Sequence, residues 1–153
     1  MTFFLGCAGL AHAEEIPASV PRFMTLGADE VNVRTGPGQR YPVRVVLRKE
    51  GLPVEIIKEF DGWCQMRSKD GDEGWAHKSL LSGKRSVIVE GSTRTLFKKP
   101  KAGAMPVVKL EPGVIAYLDR CDKEWCYLRV AGYKGWLERE NVWGVYPGEV
   151  FTK

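Results

Sequence analysis

Residues 50–67, EGLPVEIIKEFDGWCQMR, and residues 112–129, PGVIAYLDRCDKEWCYLR, are two versions of one pattern. Slid by 62 positions, Gly51 falls on Gly113, Trp63 on Trp125, Cys64 on Cys126 and Arg67 on Arg129. Past the arginines the offset drops to 61, and Gly74-Trp75-Ala76 meets Gly135-Trp136-Leu137, so the intervening turn is one residue shorter. Upstream the match is looser. Arg34-Thr35-Gly36-Pro37 falls on Phe97-Lys98-Lys99-Pro100 at an offset of 63. Length changes confined to turns, with apolar positions kept, are expected of a duplicated small unit.

Each copy reads as strands. Val31-Asn32-Val33-Arg34 alternates, residues 35–38 (TGPG) turn, and residues 43–47 form a second run. Val54-Glu55-Ile56-Ile57-Lys58 is rich in β-branched residues, and Asp61-Gly62 is a two-residue hairpin signal. Residues 63–67 return, residues 69–72 turn, Gly74-Trp75-Ala76 closes the unit, and Ser79-Leu80-Leu81 is a single helical turn. The second copy repeats this over residues 107–110, 114–120, 125–130 and 135–137, and Val87-Ile88-Val89 in the connection is also strand-like. About five short strands in about 60 residues, with no long helix, predict an all-β chain of two small antiparallel barrels. So small a barrel buries a low fraction of its surface, so the two copies are expected to pack on one another. Trp143 and Tyr146, beyond the second copy, either cover the junction or cap their own barrel.

The composition agrees. Among 153 residues there are 17 Gly and 9 Pro, which suits a turn-rich β chain. The 23 basic and 19 acidic residues leave a mild formal charge of +4, too little to indicate a nucleic-acid binder. Residues 1–13 resemble the back half of a secretory leader: residues 3–10 are apolar, and Ala11-His12-Ala13 fits a peptidase site. Cys7 in Phe4-Leu5-Gly6-Cys7 is a looser match to an acylation site. Cleavage after Ala13 leaves Cys64, Cys121, Cys126 and one histidine, His77. If Lys123-Glu124 is a two-residue turn, Asp122 faces Trp125 and Cys121 faces Cys126 at a close cross-strand pair, within disulfide reach. Cys64 has Glu59 where Cys121 stands in the other copy, and is expected as a buried thiol.

VNVRTGPG, DGW and GWAHKSLL resemble the bacterial SH3 (SH3b) family, in which VNVR-x-GP opens the domain and GW followed by a small or apolar residue closes the barrel. The second copy keeps GYKGW and NVWGV but has an eroded opening motif. The resemblance implies two tandem SH3-like barrels: a leader over 1–13, a linker over 14–27, domain 1 over 28–83, a degenerate domain 2 over 84–148 and a tail over 149–153. It implies an exported, periplasmic or extracellular, non-catalytic binding module. Its ligand would be the peptide of peptidoglycan, with a scaffold or accessory role in an envelope complex as the alternative. Such barrels place ligands on aromatics near the long first loop. The candidate contacts are therefore Tyr41 in that loop, Trp63 and Trp75 at strand ends (Trp125 and Trp136 in the second copy), and Arg34 and Arg40 for a ligand carboxylate.

Other chemistries find little support. Cys64 and His77 are the one Cys/His candidate pair outside the disulfide, and no nucleophile elbow is present. One histidine and two bridged cysteines predict no metal site, and Gly36-Pro37-Gly38 lacks the lysine of a phosphate loop, so no cofactor is expected. Lys84, Arg85, Arg94, Lys98, Lys99 and Lys101 form a basic stretch suited to weak contact with an anionic surface rather than to nucleic acid.

Overall fold

The computed structural model describes residues 19–153. The leader, the acylation motif at Cys7 and residues 14–18 of the 14–27 segment lie outside the described residues.

The first barrel comprises β1 (Arg22–Leu26), β2 (Val31–Arg34), β3 (Val43–Leu47), β4 (Pro53–Phe60), β5 (Trp63–Arg67), β6 (Glu73–His77) and β7 (Leu81–Ser82). They form one antiparallel sheet in the order β3-β2-β6-β5-β4-β1-β7. The second comprises β8 (Ser86–Val89), β9 (Arg94–Phe97), β10 (Pro106–Leu110), β11 (Ile115–Cys121), β12 (Trp125–Val130), β13 (Tyr133–Glu138) and β14 (Val142–Trp143). Its order is β10-β9-β13-β12-β11-β8-β14, with β15 (Phe151–Thr152) on β11. Adding seven to every label of the first sheet gives the second, so the duplication is topological as well as sequential. A 3-10 turn precedes the last short strand in each copy, at Lys78–Leu80 and Arg139–Asn141.

The cores follow the repeat. Val54, Ile56, Cys64, Met66 and Ala76 are buried in the first barrel, and Ala116, Leu118, Cys126, Leu128 and Leu137 are buried at the matching places in the second. Alternation is clean on β5 and β12, where every second side chain points inward.

Two segment assignments need correction. Residues 14–27, read as linker, contain β1. It pairs with β4 (Phe23 opposite Glu55) and β7 (Leu26 opposite Leu81). Its partners lie far along the chain, so no local pattern marks it. The 149–153 tail likewise belongs to the second barrel: Phe151 pairs with Cys121, and Glu149 holds Arg85. These pieces, with β7, β8 and β14, raise the strand number above the expected five per copy.

The two equivalent hairpins are closed differently. Asp61 (φ 46°) and Gly62 (φ 79°) make a two-residue turn with both central residues left-handed, matching strand twist. In the second copy the Asp122 N–H donates to the Trp125 carbonyl (2.9 Å), and the Asp122 carboxylate accepts from the Glu124 and Trp125 N–H groups, each at 2.8 Å. Those amides hold the Asp122 carboxyl below its usual range. Cys121 then sits opposite Cys126 with Cα atoms 4.0 Å apart, and the pair is joined by a disulfide. Glu59 replaces Cys121 in the first copy, where it accepts a hydrogen bond from Arg22 (2.5 Å) and faces Cys64.

A built seam joins the barrels. The Phe23 ring of β1 meets Trp143 edge-on (centroids 5.0 Å apart) and Tyr146 tilted (4.6 Å). Trp143 and Tyr146 therefore cover the junction. The Arg85 guanidinium lies between Phe23 (5.7 Å) and Phe151 (5.0 Å), pairs with Glu149 (2.7 and 3.2 Å) and donates to the Gly144 carbonyl (2.9 Å). Buried Ser86 donates its hydroxyl to the Gly51 carbonyl of the first barrel (2.5 Å). Burial, then the Glu55 and Glu149 carboxylates, push the Tyr146 phenol up to about 12, so it stays neutral within the seam.

Candidate ligand-binding surfaces

Tyr41 lies in the loop between β2 and β3. The Thr35 N–H donates to the Pro42 carbonyl (3.0 Å) and the Tyr41 N–H to the Gly38 carbonyl (3.2 Å), which folds the loop back on itself. The Tyr41 ring lies on Gly36, where a Cβ would come within 2.5 Å of it. Arg40 lies over that ring (5.0 Å) and donates to its hydroxyl (3.1 Å). Arg34 has a different task from the one expected. Its guanidinium donates to the Gln39 carbonyl (3.2 Å) and the Tyr41 carbonyl (3.0 Å), so it braces the loop from within. Tyr41 and Arg40 thus present a stacked aromatic–cation pair, held in place by Arg34.

Trp63 and Trp75 lie on the outer face of the sheet, alternating with buried Cys64, Met66, Gly74 and Ala76. Trp63 meets His77 edge-on at 5.2 Å, and Trp75 sits opposite Gln65 on one side and Arg34 on the other. Strand alternation also separates Cys64 from His77: the thiol faces the core and the imidazole faces solvent, with its Nδ1 on the Ser79 hydroxyl at 2.7 Å. Burial first, then the Glu59 carboxylate, raises the Cys64 thiol above its usual range, which is opposite to nucleophile activation.

The second barrel has a richer aromatic face than its eroded opening motif suggests. Where the first has Arg34 and Gln65, the second has Phe97 and Tyr127. Tyr127 and Trp136 pack at 5.1 Å, Phe97 and Trp125 at 6.3 Å, and Arg120 lies over Trp136 at 4.9 Å. The repeat alignment carried this signal, which appears only when the non-identical positions are compared.

The basic stretch does not form one patch. Arg85 is engaged in the seam, and Arg94 donates to the Glu90 carbonyl (3.2 Å). Lys84 and Arg85 precede β8, whereas Lys98, Lys99 and Lys101 follow β9, with β13, β12 and β11 between the two strands in the sheet. Among the described residues, no group of three or more His, Cys, Asp and Glu side chains is placed to hold a metal ion.

Comparison with known proteins finds two consecutive copies of one domain in the chain. The bacterial SH3 domain matches residues 27–83 and again residues 90–144. A putative N-acetylmuramoyl-L-alanine amidase of Bacillus subtilis (strain 168) is 27% identical over 128 residues, covering 76% of this chain and 24% of the relative. Among solved structures, NlpC2 from Trichomonas vaginalis is 13% identical with a TM-score of 0.37, covering 81% of this chain and 48% of that one. An NlpC/P60 family protein from Bacillus cereus is 10% identical with a TM-score of 0.36, covering 82% and 57%. The chain thus spans about a quarter of the length of the amidase. With two consecutive matches that between them occupy most of its length, the chain belongs to the bacterial SH3 domain family.

Proposed function

We propose that this chain is an exported, non-catalytic binding module that recognises the peptide of peptidoglycan. The observation that carries the reading is the pair of bacterial SH3 barrels, which also match part of an amidase whose name places its substrate at the glycan–peptide bond of the cell wall. That match leaves three quarters of the amidase outside it, so the shared part is a module and not the whole enzyme. Cys64 and His77 on opposite faces of one sheet leave the first barrel without a thiolate–imidazole pair. Export is supported by the leader-like residues 1–13 and by the disulfide, which persists in an oxidising compartment. Tyr41 and Arg40 are the proposed contacts, with Arg34 as their brace and Trp63 and Trp75 on the outer face of the same barrel.

Sedimentation with purified peptidoglycan sacculi tests this. The wild type is expected in the pellet at low and moderate salt, and Tyr41→Ala is expected to lose at least half of it. Wild type that stays in the supernatant at low salt overturns the reading. The second reading, an accessory subunit of an envelope complex, then gains, because Phe60 at the first hairpin tip is 61% exposed beside Trp63 and is shaped as an anchor for a protein partner. Binding abolished by modest salt and indifferent to Tyr41→Ala would assign the interaction to Lys98, Lys99 and Lys101 instead.

A further inference from the structure

The seam creates a concave surface that neither barrel has alone. Three hollows follow one another around Tyr117 of β11. One, of about 450 Å³, lies between the linker at Gly83, Lys84 and Arg85 and the residues Tyr117, Arg129 and Phe151 of the second barrel. The next, about 220 Å³, opens onto Glu50 and Ser79 of the first barrel and shares Lys84 and Tyr117 with it. The third, about 280 Å³, reaches Arg129, Tyr133 and Lys134 and shares Tyr117 and Arg129. Tyr117 bridges the barrels, for a Cβ on Gly51 would lie 2.8 Å from its hydroxyl.

The groove has an apolar floor and a basic rim. Tyr117 and Phe151 offer hydrocarbon surface at its centre. Arg85 and Arg129 are neutralised by Glu149 and Asp119. Lys84 and Lys134 make no ion pair among the described residues, and they rim adjoining hollows. Glu50 lies in the hollow on the first-barrel side. A ligand that complements this surface is extended enough to span successive hollows, has small apolar side chains for the floor, and has free carboxylates for the lysines.

We infer that the groove over Tyr117 binds an extended, carboxylate-bearing peptide, with Lys84 taking a carboxylate at its centre. The inference rests on the reading of the chain as a binder of the cell-wall peptide, and it moves the main contact from the first loop to the junction. It requires the two barrels in their observed arrangement, since Lys84 and Tyr117 also line the one of the three hollows that both barrels wall.

The test is an amide-shift NMR titration of the full chain with the synthetic tetrapeptide Ala-γ-D-Glu-Lys-D-Ala and, separately, with the same peptide with both carboxylates converted to amides. Saturable shifts are expected at Lys84, Tyr117 and Gly132, with the amidated peptide at least tenfold weaker. Lys84→Glu is expected to weaken the acidic peptide at least tenfold and Lys84→Arg to retain it. Lys109→Glu, an equal change of charge on β10, should stay within twofold of wild type. Lys84 is exposed, and an unchanged thermal midpoint verifies that its variants remain folded. Shifts confined to residues 35–42, equal binding of the amidated peptide, equal losses from Lys84→Glu and Lys109→Glu, or no saturable shift each overturn the inference. Sacculi sedimentation run in parallel separates the two readings. Sacculi bound without peptide shifts in the groove sinks the groove alone, and groove shifts without sacculi bound sinks the peptidoglycan reading alone.

Discussion

Gly51 and Gly113 hold the same place in their barrels, both left-handed, with φ 83° and 88°. Each donates its N–H to the carbonyl of its barrel's first strand, at Leu26 and Val89. They differ in what stands above them. Nothing lies within 4 Å of a Cβ built on Gly113, whereas one on Gly51 meets the Tyr117 hydroxyl at 2.8 Å. Alanine at either site forces an L residue into a conformation it disfavours, at a cost of about 1 kcal/mol. At Gly51 the bridging tyrosine must also move, and overpacking adds about 1–2 kcal/mol. Urea unfolding should therefore show Gly51→Ala losing about twice what Gly113→Ala loses, and equal losses would show that Tyr117 gives way freely. The repeat aligned both glycines, so their equivalence was legible in the sequence. The difference between them was not, because it depends on a side chain 66 positions away in the other copy. Arg34 is a similar case. An arginine after an alternating strand can face solvent, a ligand or its own loop, and its actual acceptors are the Gln39 and Tyr41 carbonyls, which no side-chain pattern encodes.

The strands that could be read were those with partners nearby. β4 and β5 meet across two residues and carry alternation plus a hairpin signal, so their pairing was visible. β1 has neither aid, and its RFMTL sequence takes its identity from β4 and β7. The disulfide hairpin was legible because Asp122 can cap its turn and set the register. Its bridge closes a loop with a sequence separation of 5, for which chain entropy gives about 2 kcal/mol. Replacing both Cys121 and Cys126 with serine should lower the unfolding free energy by about that amount. Reductant should lower the wild-type midpoint but leave a Cys121→Ser/Cys126→Ser protein unchanged, since Cys64 is a free thiol. A reductant-sensitive midpoint in the double variant would place the bridge elsewhere.

The seam ties the two barrels together through packed rings and a bridged ion pair, and is expected to make them unfold as one. It holds Phe23 between two rings and Arg85 between Glu149 and Gly144. Burial pulls the Glu149 carboxyl upward, but hydrogen bonds from Arg85 and the Tyr146 amide outweigh it, and the net shift is below the usual range. A carboxyl depressed in the folded state contributes stability above its ordinary value and loses it as pH falls through its folded value. Calorimetry should accordingly give a single transition at neutral pH that separates into two below about pH 4. Glu149→Gln should show the separation already at pH 7. A single transition in Glu149→Gln at pH 7 would mean that the aromatic contacts alone couple the halves. With the seam closed by these contacts, the first loop of one barrel and the aromatic face of the other stand at a set spacing, like the jaws of a caliper. A polymer whose repeats match that spacing gains avidity from raised effective concentration at the second jaw, and one with the wrong period gains none.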